Sequence, residues 1–234
     1  IDYRLHTLPS GSGYDDVAGR VLLLNTMEDV HAIMVHLPMP EGVDAYSVQR
    51  LIAPEKDVEG VNPANIGNVV YGRSSLAPCT ALAVIKMIES VLGKGQLRGK
   101  HAVVVGAGDV VGKPIAVLLM RQDATVVSCN KFTRGIEAIT RHADVLVAAA
   151  GVPGLITRDM VKPGAVVIDV GVNRVTGPDG KTRTVGDVAF EQVRPIAGWI
   201  SPVPGGVGPM TVAMLLLNVV ESAERRVRLP GAPA

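Results

Sequence analysis

The chain predicts an α/β fold: a parallel sheet of the Rossmann type together with a second, smaller α/β unit. Short runs of Val, Ala, Leu and Ile recur at His101 to Val105, Thr125 to Ser128, Asp144 to Ala149 and Ala165 to Val170. Each is continuous in hydrophobicity, as strands buried on both faces must be. The segments between them are long enough for the crossover helices or turns that parallel strands need. The first run passes through a glycine-rich turn, Gly106 to Gly112, into a helical stretch. Strand, glycine turn and helix therefore follow in the order of a nucleotide-binding βα unit.

Composition removes several other classes. Hydrophobic residues make up 47% and charged residues 19% of the 234, enough for a sizeable core and too apolar for a disordered chain. With 23 Lys+Arg against 22 Asp+Glu there is no electrostatic drive toward nucleic acid. Charges, glycines and prolines break the apolar runs before the ~18–20 residues of a membrane span, so no membrane partner is expected. Cys79 and Cys129 stand far apart without metal-ligand spacing. That pattern predicts no metal site, no disulfide framework and a reducing, cytoplasmic setting. The start, Ile1-Asp2-Tyr3, has neither an initiator Met nor the pattern of a signal peptide, and reads as a cut or processed end.

The elements follow in order. A polar loop from Pro9 to Asp15 leads to a helix over Asp16 to Asn25, then an apolar strand, Ala32 to Leu37, stopped by Pro38 and Pro40. A second helix covers Val43 to Leu51. The loop after Pro54 carries Lys56, Asp57, Glu59, Asn62 and Asn65, and on spacing alone its charged part reads as a solvated turn. Thr80 is placed to cap a helix from Ala81 to about Leu92, ended by Gly93 and Gly95. Lys113 to Arg121 is helical, with Pro114 tolerated in the first turn. Pro178-Asp179-Gly180 marks the tip of an excursion between Gly171 and Gly186. Ser201 to Thr211 is too rich in Gly and Pro for regular structure and feeds an apolar helix from about Pro209 to Arg226, while the tail after Arg228 has no assigned role. The expected organisation is residues 1–80 for the smaller unit, 81–203 for the Rossmann unit, and 204–234 for a loop and helix returning to the first.

The turn Gly106-Ala107-Gly108-Asp109-Val110-Val111-Gly112 is one residue longer than the usual dinucleotide fingerprint. Glycines there let the backbone approach a pyrophosphate, and the N–H groups at the helix start attract its charge. The end of the second strand, where NAD-selective sites place a carboxylate, holds Cys129, Asn130 and Lys131, with Arg134 close by. That favours NADP, with NAD as the alternative. A lone His36 at a strand end is more often satisfied by a backbone carbonyl than catalytic, and Cys79 reads as a small packing residue. The Pro204 to Thr211 loop presents backbone donors and a close approach to a ligand or a neighbouring segment.

Taken together, seven ordered strings resemble the bifunctional methylenetetrahydrofolate dehydrogenase/methenyltetrahydrofolate cyclohydrolase family. They are VHLPMP (35–40), IAPEKDVEG (52–60), PCT (78–80), VVVGAGDVVGKP (103–114), VIDVGVNR (167–174), GDV (186–188) and SPVPGGVGPMT (201–211). The resemblance implies a Rossmann domain inserted into a catalytic domain, folate in the cleft between them, and no metal. It implies hydride transfer from 5,10-methylenetetrahydrofolate to NADP, then hydrolysis to 10-formyltetrahydrofolate, in the one-carbon metabolism that serves purine biosynthesis. It assigns His36 and Asp57 to catalysis, with Asp57 also at the pterin, and Glu59, Pro78, Gly205, Gly206 and Thr211 to the folate. Gly106, Ala107, Gly108, Lys131 and Val172 fall to the dinucleotide. The implied partners are a small-molecule substrate and a second copy of the chain in a homodimer.

The departures from the family pattern are specific. The family's cyclohydrolase lysine, in a Tyr-x-x-x-Lys motif, precedes everything present here. His36 replaces a Gln, Glu59 replaces the second Asp of a KDVDG string, and Gly106-Ala107-Gly108 replaces Gly-Arg-Ser. Two accounts compete: a fragment of an active enzyme, which the sequence favours, and a diverged paralogue that binds folate or nucleotide without catalysis.

Overall fold

The computed structural model describes residues 1–73, 76–177 and 180–227. Pro178 and Asp179 of the expected turn, and the tail from Arg228, lie outside the described residues. The chain divides into two compact units, residues 1–77 with 216–234, and residues 78–215. These limits stand beside the 80/81 and 203/204 boundaries read from the sequence. The glycine-rich loop after Ser201 falls with the second unit, because the chain crosses at Leu215/Leu216 within a continuous helix.

The first unit is built on helices. Helix α1 (Tyr14–Thr26) is capped by Gly13, whose N–H donates to Asp16 Oδ2 at 2.9 Å. Helix α2 (Ala45–Gln49) is capped by Asp44, which accepts from the Ser47 N–H. Helix α3 (Pro63–Val70), which sequence reasoning missed, starts at Asn62, with Pro63 in the first turn. Val17 and Val21 of α1 pack with Ile33, Val48 and Ile52 in one buried cluster. The expected strand over Ala32 to Leu37 is not formed. Only Ile33 pairs, in an isolated parallel bridge to Asp57, because no described segment runs alongside the rest to take its backbone donors and acceptors.

The second unit is the parallel sheet. Strands β1 (His101–Val105), β2 (Thr125–Cys129), β3 (Val145–Ala148), β4 (Val166–Asp169) and β7 (Trp199–Ile200) lie in the order β2-β1-β3-β4-β7. All four expected strands are present. The fifth, β7, has two residues and no hydrophobic run to betray it; its register is fixed by pairing of Val166 with Trp199 and Val167 with Ile200. Val103, Leu146 and Val167 are fully buried at the centre of the core. Helix α4 (Cys79–Leu92) packs against α5 (Gly112–Met120), and short helices α6 (Ile136–Thr140) and α7 (Phe190–Val193) complete the connections. Helix α4 begins two residues before the expected start, with Pro78 at its N-cap and no side-chain cap from Thr80. The excursion is a two-stranded antiparallel ribbon, β5 (Asn173–Thr176) with β6 (Thr182–Val185).

Helix α8 (Val207–Val227) begins two residues earlier than the sequence suggested. Gly208 and Pro209 sit in its first turn, where their missing side chain and N–H cost little. Against the sequence expectation, Val207–Arg226 is long and apolar enough to cross a membrane by length and composition, with a mean hydropathy of 1.2. Its Asn218 and Ser222 are buried and donate to backbone carbonyls of the first unit, the behaviour of a helix packed in protein.

Candidate active site

In the first unit the charged turn is buried, correcting the reading of it as solvated. Lys56 is 2% exposed, and its Nζ donates to Leu24 O, Asn25 O and Met27 O at 3.0, 2.7 and 2.8 Å. The ammonium thereby closes the carbonyl end of α1, where positive charge is favourable. Burial pushes its pKa below the ordinary lysine value. Asp57 is fully buried, and its Oδ2 accepts from the Asn62 N–H at 2.7 Å and Asn65 Nδ2 at 2.9 Å. Asn62 also donates to Ile52 O and Asn65 to Pro54 O, so the two amides staple the loop on both sides of the carboxylate.

Two acceptors remain unused there. Asp57 Oδ1 and Glu59 Oε2 are buried and meet no hydrogen-bond partner among the described residues. Burial raises the Glu59 carboxyl above its ordinary value, and the Asp57 charge adds to the rise; the Val35 N–H and the His36 ring act in the opposite sense. His36, Asp57 and Glu59 are thus brought together. His36 is exposed, with Nδ1 3.0 Å from Leu37 O, the carbonyl partner that sequence reasoning gave as its ordinary fate. Asp57, which the resemblance assigns to catalysis, is completely buried and holds Asn62 and Asn65. Glu59, half-buried, is the more accessible carboxylate.

In the second unit the glycine turn leaves β1 at the point where the strand order reverses between β1 and β3, the place where open parallel sheets bind ligands. Gly106 has φ +111°, and a Cβ there would lie 2.1 Å from Ala149 O. A Cβ on Gly112 would lie 1.7 Å from Gly106 O. Both glycines are therefore required by backbone contact between the turn, the end of β3 and the start of α5. Gly108 is different: it is exposed, with open space where a side chain would project. Ala107 is half-buried between them. The Gly106 N–H donates to Cys129 O at 2.9 Å, joining the turn to the end of β2. Beyond it Asn130 Oδ1 accepts from the Phe132 N–H, and exposed Lys131 lies 5.0 Å above the Phe132 ring. Val172, after β4, is 71% exposed.

Sequence reasoning quoted Asp169 and Asp187 only inside longer strings and gave them no role. Asp187, fully buried, accepts at Oδ2 from the N–H groups of Ala150 and Gly151 (2.6 and 2.8 Å) and at Oδ1 from Asn173 Nδ2 (2.9 Å). Asp169 accepts from the N–H groups of Gly171, Asp187 and Val188 at 2.9 to 3.0 Å. Burial raises its carboxyl, and those three donors hold the rise down. The pair ties the loops after β3 and β4 to the end of β6. Gly171 and Gly186 mark the closeness of fit, since a Cβ at either would fall within 2.1 Å of the facing carboxylate. Those glycines flanking an Asp were the available signal.

The loop after β7 starts at Ser201, whose buried hydroxyl accepts from the Asp169 N–H at 2.7 Å. Gly205 is exposed at φ +101°, while Gly206 is buried with its Cβ direction filled by Pro202 O. Thr211 Oγ1 donates back to Val207 O at 3.1 Å, inside α8. Pro78 is buried at the start of α4. Among the described residues no group of His, Cys, Asp and Glu has the arrangement of a metal site.

A glycine turn at a switch point of a parallel sheet defines the second unit as a dinucleotide-binding domain of the dehydrogenase type. Comparison carries this further. Residues 78–227 match the sequence model of the tetrahydrofolate dehydrogenase/cyclohydrolase NAD(P)-binding domain, and residues 1–59 that of the same family's catalytic domain. The chain belongs to the tetrahydrofolate dehydrogenase/cyclohydrolase family. It is 51% identical to the bifunctional protein FolD of Cupriavidus necator over 221 residues, 94% of this chain and 76% of that protein. The structure of the bifunctional FolD enzyme from Campylobacter jejuni matches with a TM-score of 0.87 and 41% identity, over 93% of this chain and 75% of that one. The Trypanosoma brucei enzyme, solved with NADP cofactor and an inhibitor, matches with a TM-score of 0.86 and 41% identity, over 94% and 76% of the two chains.

Proposed function

We propose that the chain oxidises 5,10-methylenetetrahydrofolate to 5,10-methenyltetrahydrofolate with NADP, and that hydrolysis to 10-formyltetrahydrofolate is its second activity. The observation that carries this reading is identity of about half the residues with a bifunctional FolD protein across both units. The site residues fit the chemistry. Asp57 Oδ1 and Glu59 Oε2 are two acceptors awaiting donors, and the edge of a pterin ring offers N–H donors of matching kind. Glu59, the more accessible, binds that edge, and Asp57 holds the loop that presents it. Gly106 and Gly112 keep the turn flat against β3, and the open side of Gly108 admits a pyrophosphate to the start of α5. Lys131 and Val172 stand on the same carboxyl edge of the sheet, the first as a partner for a 2′-phosphate and the second as apolar surface.

When bound, the oxidised nicotinamide accepts a hydride from the methylene carbon, leaving the methenyl cation. The chain's own contribution to this step is positioning, which needs few acid–base groups. His36 lies close enough to Glu59 to act on its ionisation, in the sense opposite to burial. The two buried cysteines, Cys79 and Cys129, favour a reducing, cytoplasmic location, and the family resemblance favours a homodimer in one-carbon metabolism. Glu59→Ala tests the pterin contact: KM for methylenetetrahydrofolate should rise about tenfold or more with NADP affinity unchanged. Equal folate kinetics would remove Glu59 from the site.

A further inference from the structure

Helix α8 reaches the carboxylate loop through two side chains, Ser222 at Glu55 O and Asn218 beside Glu59. Asn218 is 1% exposed, and its Nδ2 donates to Val58 O at 2.8 Å and Ala77 O at 3.0 Å. Val58 stands between Asp57 and Glu59, and Ala77 immediately precedes Pro78. A single amide therefore joins two segments that are 19 residues apart in sequence, each beside a residue assigned to the folate. Other parts of the loop are fastened separately: Glu55 O to Ser222, Lys56 to the end of α1, Asp57 to Asn62 and Asn65. The Val58 carbonyl, one residue before Glu59, is where α8 holds the loop next to that carboxylate.

We infer that Asn218 is a positioning residue for folate, fixing the peptide that carries Glu59 against the segment entering Pro78. Resting on the functional reading above, the inference extends it to a residue outside every folate motif, two turns beyond Thr211 on α8. An amide suits the position because its two N–H donors fork between two carbonyls. A side chain without them leaves both buried carbonyls without this donor, and the loop relaxes to recover hydration. Relaxation at Val58 moves Glu59 directly, whereas the dinucleotide turn in the other unit shares no hydrogen bond with Asn218 among those described.

The test compares steady-state kinetics and thermal midpoints of the full chain and three variants. Asn218→Ala should raise KM for methylenetetrahydrofolate about tenfold, the equivalent of one good hydrogen bond, with KM for NADP within twofold of wild type. Asn218→Ser keeps one donor, should fall between the two, and serves alone if the alanine chain does not fold. Val21→Ala removes methyl groups from the α1 cluster without touching the Asn218 hydrogen bonds, and should lower the thermal midpoint without moving the folate KM. An unchanged folate KM in both Asn218 variants overturns the inference, as does an equal rise in Val21→Ala. A wild-type chain inert toward methylenetetrahydrofolate overturns the functional reading itself.

Discussion

Lys56 and Glu59 sit three residues apart in a string that reads as surface, and each is governed by what burial does to its charge. For Lys56, three carbonyls replace the water that burial removes. Lys56→Met should therefore cost about 2 kcal/mol or more, measured by urea unfolding, because the carbonyl end of α1 loses its cation. Glu59 titrates in the opposite setting. Its carboxyl is raised, so the folded chain keeps this proton at a pH where the unfolded chain has released it. The corresponding stability is complete below the ordinary glutamate range and is lost as pH rises through the raised value. Asp169 contributes in the same direction. Urea midpoints across that window should fall less steeply in Glu59→Gln than in wild type, and parallel profiles would contradict the burial of a carboxyl with one oxygen unpartnered.

At the scale of elements, the glycine turn makes sharper predictions than its spelling did. Gly112→Ala forces a Cβ into Gly106 O and should abolish measurable NADP binding along with much of the stability of the sheet unit. Gly108→Ala meets open space and should fold normally, its effect confined to cofactor affinity. Equilibrium binding of NADPH and a thermal scan separate the two outcomes. Strands β1, β3 and β4 were legible because a strand buried on both faces is a continuous apolar run, whereas edge strand β2, with Thr125 and Ser128 exposed, showed only its Val126-Val127 centre. Two-residue β7 and four-residue α7 were not, since neither is long enough to show a period. The 32–37 run looked like a strand for the same reason, but hydrophobicity gives no sign of whether a neighbour is present to pair with it. The glycine turn and Lys131 stood out by their place after strands, and Val172 through the family resemblance alone. Asp169 and Asp187 did not, because an acid that accepts backbone N–H groups leaves no spacing rule behind it. Asp187→Asn should weaken NADPH binding severalfold by exchanging one acceptor oxygen for a donor that faces either the Ala150 and Gly151 N–H groups or Asn173 Nδ2.

Over the whole molecule, α8 was legible as an apolar helix but its long-range contacts were not. Read as an apolar helix returning to the first unit, it proves to be 21 residues long, and the unit boundary falls within it at Leu215/Leu216. Its buried polar residues, Asn218 and Ser222, hold carbonyls of segments more than 140 residues earlier in the chain. Such contacts follow from topology and could not be seen in a window of sequence. The central claim, that both units serve oxidation of a reduced folate, is tested most directly by following reduced nicotinamide absorbance with methylenetetrahydrofolate and NADP or NAD. Folate-dependent reduction is expected, faster with NADP. No reduction of either nucleotide by a chain that still binds NADPH would contradict it.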